Sequence, residues 1–340
     1  MTPVNHSSES RTSLTNRGVS RLDCLADPIL SRGSAPRITG TFIDFGVEFG
    51  IPAPHYPVAM LAPGFWPQEL ADMQAAGITD VIIARIMELG RTHYHSELFQ
   101  EWEAADHVDR ILTTAAELGM RVWLGGHLNL AFWDRTWDFA RMMRRDLKLN
   151  VAIYRELGAR YRGHPALAGW YVSNEPDRDN VDTPDRRESL QVCLNGIYTT
   201  LRDASGLPVL VSPFFSKSLP PAELASWWDA FLDRPMFDIL AMQDGVGCYP
   251  RRDLHVEEIP PYYAALAPVF RTHGIRFWNN VETFATPWPS LGDLDRIARQ
   301  YEAGRPYVER TITWEYGHFL GRQQAGAERY QTFRKWNLTP

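Results

Sequence analysis

Cysteine is scarce in this sequence. Only Cys24, Cys193 and Cys248 occur among 340 residues, and they are widely separated. No Cys-x-x-Cys spacing occurs, whereas such pairs are typical of zinc sites and thiol redox motifs. Three scattered thiols also cannot build the disulfide framework that holds many small secreted domains together. We therefore expect reduced thiols, with neither a cysteine zinc cluster nor a disulfide network.

Long apolar runs and an excess of positive charge are absent as well. No stretch approaches the roughly 20 apolar residues that a transmembrane helix requires, and residues 1–36 lack the apolar core of a secretory signal. The formal net charge is -6 at pH 7, so there is no surplus of lysine and arginine to neutralise phosphates. These absences predict a cytoplasmic protein that binds neither membranes nor nucleic acid. They give no indication of its oligomeric state.

Residues 1–36 differ in composition from the rest of the chain. They are rich in Ser, Thr, Arg and Asn, and a segment this polar buries too little apolar surface to fold alone, so we expect it to be disordered. The chain as a whole is 44% hydrophobic and 22% charged, which is typical of a globular protein. We expect one folded domain at 37–340.

From residue 37 onward, short apolar runs alternate with longer amphipathic runs. This alternation is typical of β-α-β units and a parallel sheet. Most of the short runs are apolar on both faces, as strands that are covered on both sides must be. Eight of them are predicted to be strands: 38–46, 79–86, 121–128, 168–175, 208–215, 237–244, 275–284 and 310–317.

The length and the repeats favour a closed barrel. Gly77, Gly119 and Gly274 each end an amphipathic run directly before a predicted strand, where a left-handed residue commonly ends a helix. Eight strand and helix repeats in a chain of this length fit a (β/α)8 TIM barrel of the α/β class. The rival is a doubly wound open sheet, but its first turn is usually Gly-x-Gly-x-x-Gly, which 44–50 is not. Further helices are predicted at 137–161, 185–204, 220–232, 293–303 and 324–336.

Polar side chains stand at the carboxyl end of each predicted strand. In (β/α)8 barrels the chemistry takes place at this end of the strands, so these residues are the candidates for function. They are Asp44, Arg85, His127, Asn129, Asn174, Glu175, Ser212, Gln243, Asp244, Glu282, Trp314 and Glu315.

Two glutamates among these candidates suggest a specific reaction. Glu175 follows the fourth strand and Glu282 ends the seventh, so both can point into the barrel mouth from opposite sides. Two carboxyl groups about 5 to 5.5 Å apart suit double displacement at an anomeric carbon, and Arg85 beside one of them would keep it ionised. Each glutamate also has a plainer interpretation: Glu175 as a solvated carboxylate before Pro176, and Glu282 as a member of a structural ion pair.

The motif Asn174-Glu175-Pro176 and the strand order resemble the retaining (β/α)8 glycoside hydrolases of clan A. In that clan the catalytic glutamates follow strands four and seven. The resemblance implies that Glu175 is the acid/base and that Glu282, in Asn-Val-Glu-Thr-Phe, is the nucleophile. It also implies that Asn174 binds the sugar 2-hydroxyl, that Arg85 supports the nucleophile, that His127 lies at the site, and that Trp314 forms the floor of the first sugar subsite.

A closer resemblance is to a bacterial barrel family known only as a domain of unknown function. It is carried by the phrases GTFIDFG, GWYVSNEPD and MQDGVG, at 40–46, 169–177 and 242–247. One feature departs from clan A, whose members usually have Tyr or His on strand six, whereas this strand ends in Gln243 and Asp244. Tyr249, in the loop that follows, is the candidate for that role.

The sequence therefore predicts a retaining glycoside hydrolase that acts on small glycosides or oligosaccharides and needs no cofactor. A metal-dependent sugar isomerase or epimerase is an alternative, with Glu175, Asp244 and Glu282 around a cation; a non-catalytic sugar-binding barrel is another.

The pair His93 and His95 has zinc spacing but lies after the second strand, with no further histidines to complete it. Trp66, Trp133 and Trp137 could stack on sugars or pack in loops. Substrate contacts are predicted for Asp44, Arg85, His127, Asn174, Gln243, Asp244, Tyr249, Trp288 and Trp314.

Overall fold

A computed structural model describes residues 35–45, 60–88, 90–101, 106–250 and 253–339. Almost all of the predicted disordered segment, 1–36, lies outside these ranges, as does most of the first strand-to-helix turn. Within the described residues, no helix has both the length and the apolar character needed to cross a membrane.

Eight parallel strands of the described chain close into one barrel, which confirms the predicted fold. Each strand pairs with the strands before and after it along the chain, and the last pairs with the first, where Gly40 lies opposite Ile312. The strands are shorter than predicted because the final residues of most runs leave the ladder and enter the loops. They are β1 Gly40–Ile43, β2 Asp80–Ile83, β3 Arg121–Gly125, β4 Leu167–Val172, β5 Val209–Val211, β6 Ile239–Gln243, β7 Arg276–Glu282 and β8 Arg310–Trp314.

A long helix follows each strand and covers the outside of the barrel. Gly119 and Gly274 have φ values of 67° and 69° at the ends of two of these helices, which confirms the predicted left-handed terminators. Within the described ranges, the helices of eleven residues or more are α1 Phe65–Ala75, α2 His107–Glu117, α3 Phe139–Tyr161, α4 Pro184–Ser205, α5 Pro221–Phe231, α6 Ile259–Thr272, α7 Leu294–Gly304 and α8 Ala327–Leu338.

Two small hairpins extend the loops at the carboxyl ends of the strands. Met87–Glu88 pairs with Arg91–Thr92 after β2, and Phe284–Ala285 pairs with Ser290–Leu291 after β7. A short helix, Tyr316–Phe319, follows β8 directly.

The strands divide the apolar residues into two cores because successive side chains point to opposite faces. One core lies between the sheet and the helices. The other fills the barrel interior, where the Trp123 and Trp278 rings meet edge to face with centroids 5.9 Å apart. The barrel is therefore a packed core rather than a pore, as is usual for this fold. The inner core consists of Phe42, Ile82, Ala84, Trp123, Tyr171, Leu210, Ile239, Ala241, Trp278 and Ile312.

A buried ion cluster closes the amino-terminal end of the interior. The Asp80 carboxylate accepts hydrogen bonds from Arg121 at 2.9 Å and from the Trp123 indole at 3.1 Å, and it also pairs with Arg310. Burial tends to raise the pKa of Asp80, but Arg310 and Arg121 outweigh this and hold it below its usual value. The cluster joins β2, β3 and β8, so we assign it to stability.

Candidate active site

A cavity of about 690 Å³ opens at the carboxyl ends of the strands. Its described wall draws residues from β2 to β8 and the loops that follow them. Most of the surface is apolar or aromatic, with a few charged groups that converge on the opening, as in many ligand sites. The wall consists of Ala84, Arg85, Leu128, Trp133, Tyr171, Ser173, Glu175, Asp177, Asp179, Phe214, Ser216, Gln243, Cys248, Glu282, Phe284, Thr286, Trp288 and Trp314.

Both predicted catalytic glutamates lie on this wall. Along β7, Trp278 belongs to the inner core, and the two-residue period of a strand then turns Glu282 inward as well. After β4, the same alternation leads from the interior residue Tyr171 to Glu175. Because β4 and β7 lie across the barrel from each other, the two carboxylates approach the cavity from opposite sides.

Glu282 is 1% exposed and packs against the loop that follows β6. Its Oε2 accepts a hydrogen bond from the Cys248 backbone N–H at 3.2 Å, and the Cys248 Sγ lies 3.9 Å from Oε1. Gly247 lies against the same carboxylate. A Cβ added at this position would lie 2.9 Å from both Cβ and Oε2 of Glu282. This glycine lets the loop approach the carboxylate closely enough to hold it.

Asp244 lies behind Glu282 and is fully buried. Its carboxylate accepts hydrogen bonds from the Val246 backbone N–H at 3.1 Å and from the Gln300 amide at 2.7 Å. Burial, together with the negative charge of Glu282, raises the pKa of Asp244 to about 8. Burial and the neighbouring charge thus both favour the neutral form of Asp244 while Glu282 is ionised.

Glu175 is hydrogen-bonded to Gln243, the last residue of β6. The Gln243 amide nitrogen lies 2.9 Å from Oε1 of Glu175 and 2.6 Å from the Ser212 carbonyl oxygen. Ser212 itself is fixed, since its hydroxyl donates to the Ala241 carbonyl and accepts from the Asn280 amide, both at 2.8 Å. Gln243 thus links Glu175 to the ends of β5 and β6.

Arg85 lies on the cavity wall and is 3% exposed. Its guanidinium pairs with Asp44 at 2.8 Å and with Glu88 at 3.0 Å. Glu88 in turn lies 3.0 Å from the His93 imidazole, so the first histidine of the His93 and His95 pair belongs to this ion network. The support of Glu282 by Arg85 stays a prediction.

The described residues do not assemble a metal-binding group. Nowhere in the described ranges do three or more His, Cys, Asp or Glu side chains converge as the ligands of a metal ion would.

Three tryptophans give the cavity flat apolar faces. Trp314 packs on the inner core, with its ring 5.0 Å from that of Phe42, and Trp288 stands against Phe284 at 4.8 Å. Trp133 lines the wall from the loop after β3. Trp66, in contrast, is fully buried, and Trp137 is 58% exposed away from the cavity.

Thr283 connects the end of β7 to Trp314. Its backbone N–H and its hydroxyl both donate to the Trp314 carbonyl, at 2.9 and 2.7 Å. The hydroxyl also lies 2.9 Å from the Glu315 carbonyl, beyond a cis peptide bond between Trp314 and Glu315. The residue after Glu282 therefore fixes the backbone that carries the Trp314 ring.

Several predicted contact residues lie off the described wall of this cavity. Asn174 is fully buried beside Asp146, a carboxyl group of α3 whose pKa is raised to about 6 by burial. His127 is likewise not part of the described wall, and burial lowers its pKa. Tyr249 lines a separate cavity of about 430 Å³ and packs on His255, with ring centroids 4.7 Å apart. Asp44 and Asp244 are one layer behind the wall, and the substrate roles of all five remain predictions.

Sequence reasoning named the wall tryptophans Trp133 and Trp288 but missed other loop residues of the wall. Asp177 and Asp179 follow Glu175 directly, and Asp179 accepts a hydrogen bond from the Ser216 hydroxyl of the next loop at 2.5 Å. Cys248 and the two aspartates lie beyond the predicted strand ends, and Phe214 lies within the predicted strand 208–215 but was not singled out. The two aspartates could have been found from the acidic residues that follow Asn174-Glu175-Pro176 in the sequence. Among the acidic residues, the prediction concentrated on those at the strand ends.

The fold is shared with solved structures of proteins named as glycosidases. A putative α-L-fucosidase from Bacteroides thetaiotaomicron aligns with a TM-score of 0.73 at 20% identity, over 92% of this chain and 98% of that one. An endoglucanase from Pseudomonas stutzeri aligns with a TM-score of 0.59 at 14% identity, over 92% and 97%. A β-glycosidase from Thermosphaera aggregans aligns with a TM-score of 0.52 at 13% identity, over 89% of this chain and 96% of that one. At these identities the likeness establishes the fold.

Sequence comparison gives the family. No curated protein matches the chain. The profile of the family described as "Domain of unknown function (DUF4434)" matches residues 38–326, which span the whole barrel. The chain therefore belongs to this family, as its barrel motifs had indicated.

Proposed function

We propose that the protein is a retaining glycoside hydrolase, with Glu282 as the nucleophile and Glu175 as the acid/base. The observation that carries the proposal is that these two glutamates face one aromatic-walled cavity from opposite sides of the barrel. The names of the solved structures that share the fold support the same reaction class. The substrate would be a small glycoside or oligosaccharide.

The reaction proceeds in two displacements. In the first, a Glu282 carboxylate oxygen attacks the anomeric carbon while Glu175 gives its proton to the glycosidic oxygen, so the leaving group departs as an alcohol. In the second, Glu175 takes a proton from water, and the resulting hydroxide attacks the same carbon and releases Glu282. Glu175 ends protonated and Glu282 ionised, as both began.

The surroundings of each glutamate suit these roles. The Cys248 backbone N–H donates to Glu282, and a donor of this kind favours the carboxylate form that a nucleophile needs. Gln243 donates to one oxygen of Glu175 and fixes the position of the carboxyl group on the cavity wall. Trp314 and Trp288 offer flat faces on the Glu282 side of the cavity, where an apolar sugar face can stack.

The defining test is the stereochemistry of the first product. With a panel of aryl glycosides, NMR of the reaction in D2O should show that the first sugar formed has the anomeric configuration of the substrate. A matching 2-fluoro glycoside should label the protein, and mass spectrometry should place the label on Glu282. An inverted first product would exclude the double displacement, and a label on another residue would move the nucleophile.

Gly247 offers a test of the contact that holds Glu282. In Gly247→Ala the new methyl group would lie 2.9 Å from Glu282 Cβ, Glu282 Oε2 and the Phe284 carbonyl, so the carboxylate must shift. Since small misplacements of reacting groups are costly, we expect kcat to fall by about 10-fold to 100-fold. The Tm should fall as well, because the Phe284 carbonyl belongs to the backbone and must also move. Gly64→Ala is the matched control, because a Cβ there meets nothing within 4 Å. Equal kcat in the two variants would contradict the assigned role of this loop.

A further inference from the structure

We propose that Asp177, Asp179 and Ser216, between Trp133 and Phe214, form a binding site for the leaving group, and that this leaving group is an uncharged sugar. The inference rests on the proposed function and narrows its substrate to disaccharides and longer oligosaccharides. These five residues make up the leaving-group subsite.

The order of strands around the barrel places the subsite beside Glu175. Trp133 follows β3, Asp177 and Asp179 follow β4, and Phe214 and Ser216 follow β5. These three strands are neighbours in the barrel, and their loop residues share one cavity wall. Because the acid must touch the leaving-group oxygen, the leaving group has to lie on this side of the cavity.

The opposite half of the wall comes from β7 and β8. Phe284 and Trp288 follow Glu282, and Trp314 ends β8. Aromatic residues therefore flank the two carboxylates on both sides. The whole cavity, at about 690 Å³, has the size of sites that hold drug-sized ligands, which is more than a single sugar ring occupies.

The Asp179 carboxylate is held ready to accept hydrogen bonds. Burial tends to raise its pKa, but hydrogen bonds from Ser216, Ser218 and Arg178 outweigh that effect and keep the pKa below its usual value. Its side chain is 40% exposed, so a hydroxyl of a ligand can reach it. The loop is fixed from behind, where Arg135 donates to the Asp179 carbonyl at 2.7 Å.

Asp177 adds a second acceptor to the same half of the cavity. It is 5% exposed, and its Oδ2 accepts the Asn180 backbone N–H at 3.2 Å. Two fixed carboxylates between aromatic walls suit a ring that donates hydroxyl hydrogens at its edge and presents an apolar face.

The charge of the wall disfavours an anionic leaving group. The described wall carries four acidic side chains and one cation, Arg85. Glu175 is protonated when the leaving group binds, so three carboxylates remain, on Asp177, Asp179 and Glu282. Arg85 is already paired with Asp44 and Glu88. A leaving group with a carboxylate or sulfate would therefore be repelled, whereas a neutral sugar would not.

The test varies the leaving group while the glycone stays constant. A panel of glycosyl fluorides first identifies the glycone with the fastest turnover. For that glycone, kcat/KM is measured for the fluoride, for a phenyl glycoside and for a neutral disaccharide, in the wild type and in Asp179→Ala. We expect Asp179→Ala to lower kcat/KM for the disaccharide by about 10-fold or more, since hydrogen bonds to charged groups are strong, and to leave the fluoride within about 2-fold.

Two further variants separate binding from loop support. Ser216→Ala removes the hydrogen bond to Asp179 but keeps the carboxylate. It should therefore lower kcat/KM for the disaccharide less than Asp179→Ala does. Glu188→Ala removes an exposed carboxylate of α4 that pairs with Arg234. It should leave kcat/KM unchanged for all three substrates.

The outcomes distinguish the subsite from the proposed function. Equal losses on the fluoride and the disaccharide would overturn the subsite and leave the glycosidase intact. Faster turnover of a disaccharide with a uronic acid leaving group than of its neutral counterpart would overturn the choice of an uncharged sugar. No turnover of any glycosyl fluoride would overturn the proposed function itself, and the subsite with it.

Discussion

Glu282→Gln should lower kcat by at least about 100-fold on every glycoside that the protein cleaves. The amide is close in size to the carboxylate but cannot form the glycosyl ester, so the first displacement loses its nucleophile. The loss should be similar for good and poor leaving groups, because both need the same attack on the anomeric carbon. Steady-state kinetics on a matched pair of aryl glycosides with different phenol pKa values measures this.

A smaller side chain at the same position gives a positive readout. In Glu282→Ala, added azide or formate can enter the space and attack the anomeric carbon, so activity should partly return on an activated substrate. The azide product should have the anomeric configuration opposite to that of the substrate, because only one displacement takes place. Glu302→Ala on the outer face of α7 is the control, since this exposed glutamate pairs only locally with Arg305. Near-normal rates in Glu282→Gln would remove Glu282 from the mechanism.

The barrel could be predicted because its signals are local. Each strand is a short run that is apolar on both faces, and a glycine such as Gly119 or Gly274 ends the helix before the next strand. The repeat of these units along the chain was enough to identify the closed fold. The exact strand ends were less predictable, since residues such as Ser173 keep the pattern of a strand after they have left the ladder.

The side-chain period of a strand explains which candidates reached the cavity. Gln243 and Glu282 point inward, in phase with the interior residues Ala241 and Trp278. Asp244 is one residue out of phase, and it lies behind the wall. The prediction selected polar residues at strand ends without regard to this alternation. Neighbouring residues such as Gln243 and Asp244 were therefore given the same role.

The same period separates the members of the Asn174 and Glu175 pair. Tyr171, Ser173 and Glu175 share the inner side, whereas Asn174 is buried toward Asp146 of α3. Tyr249 and Asp179 posed a different problem, because loop residues have no period. Their positions depend on long-range contacts such as the one between Asp179 and Ser216, and those contacts are set by the fold as a whole.

Glu175→Gln should have an effect that depends on the leaving group, and this is the second large change that we expect. With an alkyl or sugar leaving group, kcat should fall by at least about 100-fold, because the departing oxygen needs a proton. With fluoride or a dinitrophenolate as leaving group, the first displacement needs no acid and should stay within about 10-fold of the wild type. The rate of label formation from a 2-fluoro glycoside with an activated leaving group measures that step alone.

The pH profile and external nucleophiles complete the assignment of Glu175. In the wild type, kcat/KM for a poor leaving group should fall at high pH as the acid loses its proton, and Glu175→Ala should lack this alkaline limb on an activated substrate.

Azide should speed turnover of Glu175→Ala, and here the glycosyl azide should keep the configuration of the substrate, because azide attacks the glycosyl ester in place of water. Retention in this variant and inversion in Glu282→Ala together assign the two roles. If both variants gave azides of the same configuration, one glutamate would have to leave the mechanism. The same would follow if Glu175→Gln slowed the first displacement with the fluoride as much as with the disaccharide.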